Sequence, residues 1–155
     1  MINEKIEDAW KEDSPLSVWM QGYTYSGHPV ACAAGIAALK LMHSENHAEN
    51  AREVGNYLLQ RLLKLKDNFT AIGDVRGKGL MLAIELVKDR DTKEPFEPTD
   101  DYPPMVSGAC ESRGVIIRCI VNKLIISPPL IFTKEHADVL ADTLEEAFKA
   151  VPFNG

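Results

Sequence analysis

Thr70-Ala71-Ile72-Gly73-Asp74-Val75-Arg76-Gly77-Lys78-Gly79-Leu80-Met81-Leu82-Ala83-Ile84-Glu85-Leu86-Val87 is the stretch on which the fold turns. Residues 70–76 and 80–87 read as two strands, with Gly77 and Gly79 supplying the turn between them. Strands joined this closely run antiparallel, because a parallel pair needs a long crossover. Upstream, Val54, Leu58, Leu62 and Leu65 recur at three- and four-residue steps and predict a helix over about 48–66. Gly55 inside it costs about 1 kcal/mol relative to Ala, so close packing is expected there. Downstream, residues 88–101 are charged and carry Pro95 and Pro98, which predicts a solvated loop. Pro104 opens a short helix that Gly114 ends as its C′ residue. Strands over 115–117 and 124–127 follow, joined near Asn122-Lys123, and Pro128-Pro129 breaks the second. Thr133 is the expected N-cap of a last helix whose apolar face is Val139, Leu140, Leu144, Ala147 and Phe148.

Toward the N-terminus, Ile2, Ile6, Ala9 and Trp10 form an apolar stripe on a short acidic helix. The composition breaks at Asp13-Ser14-Pro15, and Leu16 to Tyr25 is aromatic and irregular. Pro29 suits a first helical position, where its missing N–H would be unpaired anyway. From Val30 to Leu39 almost every side chain is small or apolar, which predicts burial on several sides against surface this chain does not supply. The order of elements gives an α+β fold: a mainly antiparallel sheet covered by helices on one side.

With 155 residues the chain suits one domain, or one domain and an appendage. Its 45% hydrophobic content and net charge of −6 exclude disorder. The longest apolar stretches, 124–129 and 30–39, are too short and interrupted to cross a bilayer, so no membrane partner is expected. The first 13 residues are rich in Glu, Lys and Asp and carry no secretory signal. An acidic balance without a basic tract gives no reason to expect nucleic acid as partner. Cys32, Cys110 and Cys119 lie beside apolar residues with no C-x-x-C pair, so buried thiols in a reducing cytoplasm are expected. Of four scattered histidines only His43 and His47 have i, i+4 spacing, and no third ligand is near; no metal site is expected.

Three segments carry possible chemistry. Gly22-Tyr23-Thr24-Tyr25-Ser26-Gly27-His28-Pro29 places hydroxyls just before a helix N-terminus, where free N–H groups and the dipole favour an anion; an ordinary capped loop is the alternative. Gly73 to Gly79 resembles a phosphate loop in composition, yet Lys78 is followed by Gly79 rather than Ser or Thr. It reads more simply as a glycine turn with an Arg-Asp pair. Arg118 ends the apolar run Val115-Ile116-Ile117, where a guanidinium either holds a carboxylate or reaches solvent or a local acid. There is no G-x-S-x-G, no dinucleotide fingerprint, and no lysine in a segment that reads as a buried nucleophile site.

The segment from Tyr23 to Ala34 closely resembles the Thr-Tyr-Ser-Gly-His-Pro region of class III aminotransferases, the ω-amino-acid branch of the fold-type I pyridoxal-phosphate (PLP) enzymes. The resemblance continues in order through Asn50 to Gly55, Gly73 to Leu80, Glu85-Leu86, Gly114 to Arg118 and Ser127 to Ile131. It implies that Thr24 binds the PLP phosphate of a neighbouring subunit in a homodimer, with Tyr25 and Ser26 beside it as cofactor-binding residues. It also implies that Arg118 binds a substrate carboxylate and swings away for bulky apolar groups, which favours pyruvate as acceptor. Amines or ω-amino acids are then the donors; 2-oxoglutarate as acceptor is the alternative within the family.

The family's reactive lysine, its pyridine-pairing Asp and its main phosphate loop precede this segment and would lie before Met1. The resemblance therefore implies a C-terminal portion of a transaminase, with 1–45 the end of the large PLP-binding domain and 46–155 the small domain. Such a chain is expected to be inactive alone, to bind no PLP unaided, to offer no catalytic residue and to need the large domain as partner. A non-catalytic interaction module that reuses the small domain is the competing class of reading.

Overall fold

The computed structural model describes residues 3–11 and 22–153, and the chain divides into two compact units, Met1–Leu41 and Met42–Gly155. Ile2 of the N-terminal stripe and residues 16–21 of the aromatic stretch lie outside the described residues. In the first unit, α1 (Glu4–Lys11) is capped by the Asn3 side chain, which accepts the Ile6 N–H at 3.0 Å. Lys11 near its end pairs with Asp8 at 3.0 Å and Glu7 at 3.4 Å. A turn over 24–27 leads into α2 (Pro29–Ser44), which starts at Pro29 as its fixed φ favours. No residue of α2 is buried. Its small side chains find no cover within this chain, and Cys32, on that helix, is exposed rather than buried.

The second unit is α+β. Its elements are α3 (His47–Asn68), β1 (Ile72–Lys78), β2 (Met81–Asp89), β3 (Glu94–Pro95), α4 (Tyr102–Glu111), β4 (Arg118–Ile120), β5 (Lys123–Ile126) and α5 (Lys134–Ala150). The strands lie in the order β1-β2-β5-β4, every pair antiparallel, with β3 on the far half of β2. Alternation along β2 sends Leu82, Ile84 and Leu86 into one core with Leu58 and Leu62 of α3, Val106 and Cys110 of α4, and Leu144 and Phe148 of α5. Helices thus cover one face, and α5 packs against both α3 and α4. The paired positions Asp74, Glu85 and Lys123 share the opposite face. There Arg76 donates to Asp74 at 2.8 Å and to Glu85 at 2.5 Å, and its hydrogen bond holds the Asp74 carboxyl below the usual range. This is the Arg-Asp pair read from the sequence.

The hairpin turn is tighter than expected. Lys78 pairs with Met81, so Gly79 and Leu80 alone make the loop, and Gly79 takes φ 56°. The close approach anticipated at Gly55 is real: a Cβ there would sit 2.1 Å from the Gly79 carbonyl oxygen. The strand expected over 115–117 starts instead at Arg118. The cause is α4, whose last turn claims the run: the Val115 N–H donates to the Cys110 carbonyl at 3.1 Å, and the Ser107 hydroxyl donates to the Ile117 carbonyl at 2.8 Å. With those groups committed to the helix, a ladder begins only at Arg118.

The loop over 88–101 is also more structured than its charge suggests. Glu94 and Pro95 pair with β2, and Phe96 is buried against Tyr102 and Phe153, ring centroids 5.2 Å from each. Burial pushes the Tyr102 phenol up to about 12 and the Cys110 thiol up to about 11.

At the β4–β5 turn, Val121 adopts φ 54°, a strained value for a β-branched residue. Asn122 beside it is buried and clips to the central strand: its carbonyl accepts the Leu86 N–H at 2.7 Å and its amide donates to the Leu86 carbonyl at 3.1 Å. Thr133 caps α5 as expected, with His136 in the reciprocal role usually held by Glu or Gln; the Thr133 N–H donates to His136 Nδ1 at 3.3 Å. Among the described residues no cluster of three metal-ligating side chains occurs and no helix is long and apolar enough to cross a membrane.

Candidate active-site elements

The Tyr23 to Gly27 turn is built by its own hydrogen bonds. The Ser26 N–H donates to the Tyr23 carbonyl at 2.9 Å, the Tyr23 N–H donates to Ser26 Oγ at 3.1 Å, and the His28 N–H donates to the Tyr25 carbonyl at 3.1 Å. Gly27 supplies φ 74°, which releases the chain into α2. Tyr25 stacks on His28 with centroids 5.7 Å apart. Thr24, Tyr25 and Ser26 are all exposed. The first backbone bond of α2 runs from the Cys32 N–H to the His28 carbonyl at 2.9 Å. The N–H groups of Val30 and Ala31 thus have no backbone partner among the described residues, as at any helix start. Two hydroxyls ahead of a 16-residue helix match what a phosphate requires: neutral donors and the positive end of a dipole.

Arg118 opens β4 opposite Ile125 and is exposed. Its state differs from that of the other arginines. Arg52, Arg61 and Arg76 pair with carboxylates, Arg90 donates to the carbonyls of Lys66, Phe69 and Ile72, and Arg113 reaches Ala109 O and Glu146. The Arg118 side chain alone among them makes no hydrogen bond or ion pair with the described residues, so the local-acid alternative is not realised. A permanently charged fork without a partner is suited to a carboxylate. Beside it lies a groove of about 510 Å³ walled by Ile116, Ile117, Pro128, Pro129, Phe132 and Val139, largely apolar.

Thr24, Tyr25 and Ser26 come together on one turn in the first unit, and Arg118 stands in the second. The Gly73 to Gly79 segment forms strand and turn. The one residue near the groove that sequence reasoning did not single out is Asn50, whose amide donates to Leu130 O at 2.7 Å and Phe132 O at 3.0 Å. Only its place in the Asn50 to Gly55 run hinted at it.

The second unit is thus an antiparallel sheet backed by helices on one face, with an arginine whose side chain is unpaired on a short strand, and the first carries a hydroxyl turn before a long helix. The chain matches the aminotransferase class-III family over residues 1–148 and belongs to that family. It is 37% identical over 154 residues to the uncharacterized aminotransferase y4uB of Sinorhizobium fredii, covering 97% of this chain and 33% of that protein. It is 38% identical over 128 residues to the adenosylmethionine-8-amino-7-oxononanoate aminotransferase of Methanocaldococcus jannaschii, covering 83% and 28%. Among solved structures, a PLP-bound amine transaminase from an uncultivated Pseudomonas species superimposes with a TM-score of 0.87 at 41% identity, over 97% of this chain and 34% of that one. The chain spans about a third of the length of the proteins it matches.

Proposed function

We propose that this chain serves as the C-terminal third of a PLP-dependent class III transaminase that moves an amino group from an amine or ω-amino acid to pyruvate or another 2-oxo acid. Residues 1–45 belong to the large domain in this reading and 46–155 form the small domain. A homodimer partner and the large domain complete the enzyme. PLP, when bound in that assembly, supplies the electron sink for amino transfer.

The residues of this chain bind and orient. Thr24 donates its hydroxyl to a phosphate oxygen of the cofactor held by the neighbouring subunit. Ser26 braces the turn through its bond from the Tyr23 N–H and keeps its own proton to donate. Arg118 takes the acceptor's carboxylate through paired charge-assisted hydrogen bonds. The apolar groove next to it keeps water from that ion pair.

The observation that supports the reading is the Arg118 side chain, left without a hydrogen bond or ion pair among the described residues beside an apolar groove. None of the eleven lysines is buried. The chain mixed with PLP, an amine and pyruvate is expected to give no turnover above a blank, and turnover would overturn its role as a binding part only. In a complete enzyme carrying this segment, R118A is expected to raise KM for pyruvate about tenfold or more with a smaller change in kcat. An unchanged KM sinks the assignment of Arg118.

A further inference from the structure

Asn50 stands in the first turn of α3, half-buried, and reaches across 80 residues of chain to two backbone carbonyls, Leu130 O at 2.7 Å and Phe132 O at 3.0 Å. Carbonyl oxygens only accept, so a side chain that serves both must present an NH₂ group. The two carbonyls belong to a β-turn closed by the Phe132 N–H on the Pro129 carbonyl at 2.9 Å. Pro128 and Pro129 have no N–H to donate, so this segment has few backbone bonds of its own. Pro128, Pro129 and Phe132 form one wall of the groove beside Arg118.

We propose that Asn50 is a positioning residue that fixes this wall and thereby sets which apolar tail fits on a carboxylate held by Arg118. The proposal rests on the reading of Arg118 as the carboxylate anchor. Asn50 itself does not line the groove; it acts through the turn. Its loss frees two carbonyls and lets the Pro129 to Phe132 turn drift, while Arg118, held in the β4–β5 hairpin, stays in place. Short carboxylates, which need only the guanidinium, are then indifferent to residue 50, and long ones are not.

The test titrates acetate and hexanoate into the full chain, following backbone and side-chain amides by NMR, in wild type, N50A and R118A. Wild type is expected to hold hexanoate more tightly than acetate. R118A weakens both. N50A weakens hexanoate by about three- to tenfold and leaves acetate unchanged, the size expected from losing one or two net hydrogen bonds. A purely structural role lowers the melting midpoint of N50A and leaves the hexanoate-to-acetate ratio where it was. An unchanged ratio, or no preference in wild type, overturns the proposal alone; unaltered acetate binding in R118A overturns the anchor reading and the proposal with it. Should N50A fail to fold, the Asn50 side-chain NH₂ signals of wild type decide: hexanoate, not acetate, is expected to shift them, and their indifference overturns the proposal.

Discussion

Two helices consecutive in the chain make opposite use of apolar residues. α2 (Pro29–Ser44) carries only Lys40 among formally charged side chains, yet none of its residues is buried; Val30, Ile36 and Leu39 are 71%, 54% and 66% exposed. α3 (His47–Asn68) is dotted with charge, yet Leu58 and Leu62 are fully buried. Hydrophobic content alone therefore does not place a helix inside. The α3 leucines fall on one stripe that the sheet of this chain covers, whereas α2 is apolar all round, a pattern that asks for cover on several sides that this chain does not supply. An apolar patch this extensive is unusual for a surface and belongs with association.

Truncation is the sharpest way to break the contrast. Leu62→Ala in α3 should cost about 2–5 kcal/mol by urea denaturation, from lost burial and the cavity left behind. Leu39→Ala in α2 should stay within about 0.5 kcal/mol, the range for surface positions. Equal costs would mean that α2 is packed in solution. A glycine pair gives a smaller effect of opposite signs. Gly55→Ala drives a methyl into the Gly79 backbone and should destabilise by about 1–3 kcal/mol. Gly35→Ala meets nothing within 4 Å and should strengthen α2 by about 0.5–1 kcal/mol, read as slower amide exchange along that helix.

The last contrast vanishes at neutral pH and grows only in alkali. The Tyr102 phenol, raised by burial to about 12 from its ordinary 10, contributes stability that is whole below pH 10 and lost as pH climbs toward 12. Tyr102→Phe should therefore flatten the fall in urea midpoint between pH 10 and 12. An unaltered slope would show that the aromatic cluster with Phe96 and Phe153 opens before the phenol ionises.

Local rules made the β1–β2 hairpin, the Pro29 start and the Thr133 cap legible, because each depends on residues within a few positions of one another. What escaped depended on distant partners. β3 is two residues long, one of them proline, and exists only because β2 offers an edge. The run 115–117 looks like a strand until Ser107 and Cys110 of α4 take its polar groups. The hydroxyl turn ahead of α2 was visible in the sequence, because its hydrogen bonds join residues two or three apart. Asn50 was invisible as chemistry because its partners lie 80 and 82 residues away.

The left-handed valine at the β4–β5 turn has a consequence for aim. A hairpin that bends through Val121 against its steric preference does not hold its shape unaided. Its geometry is imposed by Asn122, locked at both backbone and side chain to Leu86 in the middle of the sheet. The direction of the Arg118 guanidinium is thus inherited from the central strand, so that small shifts of β2 would be transmitted, as by a lever, to that charge.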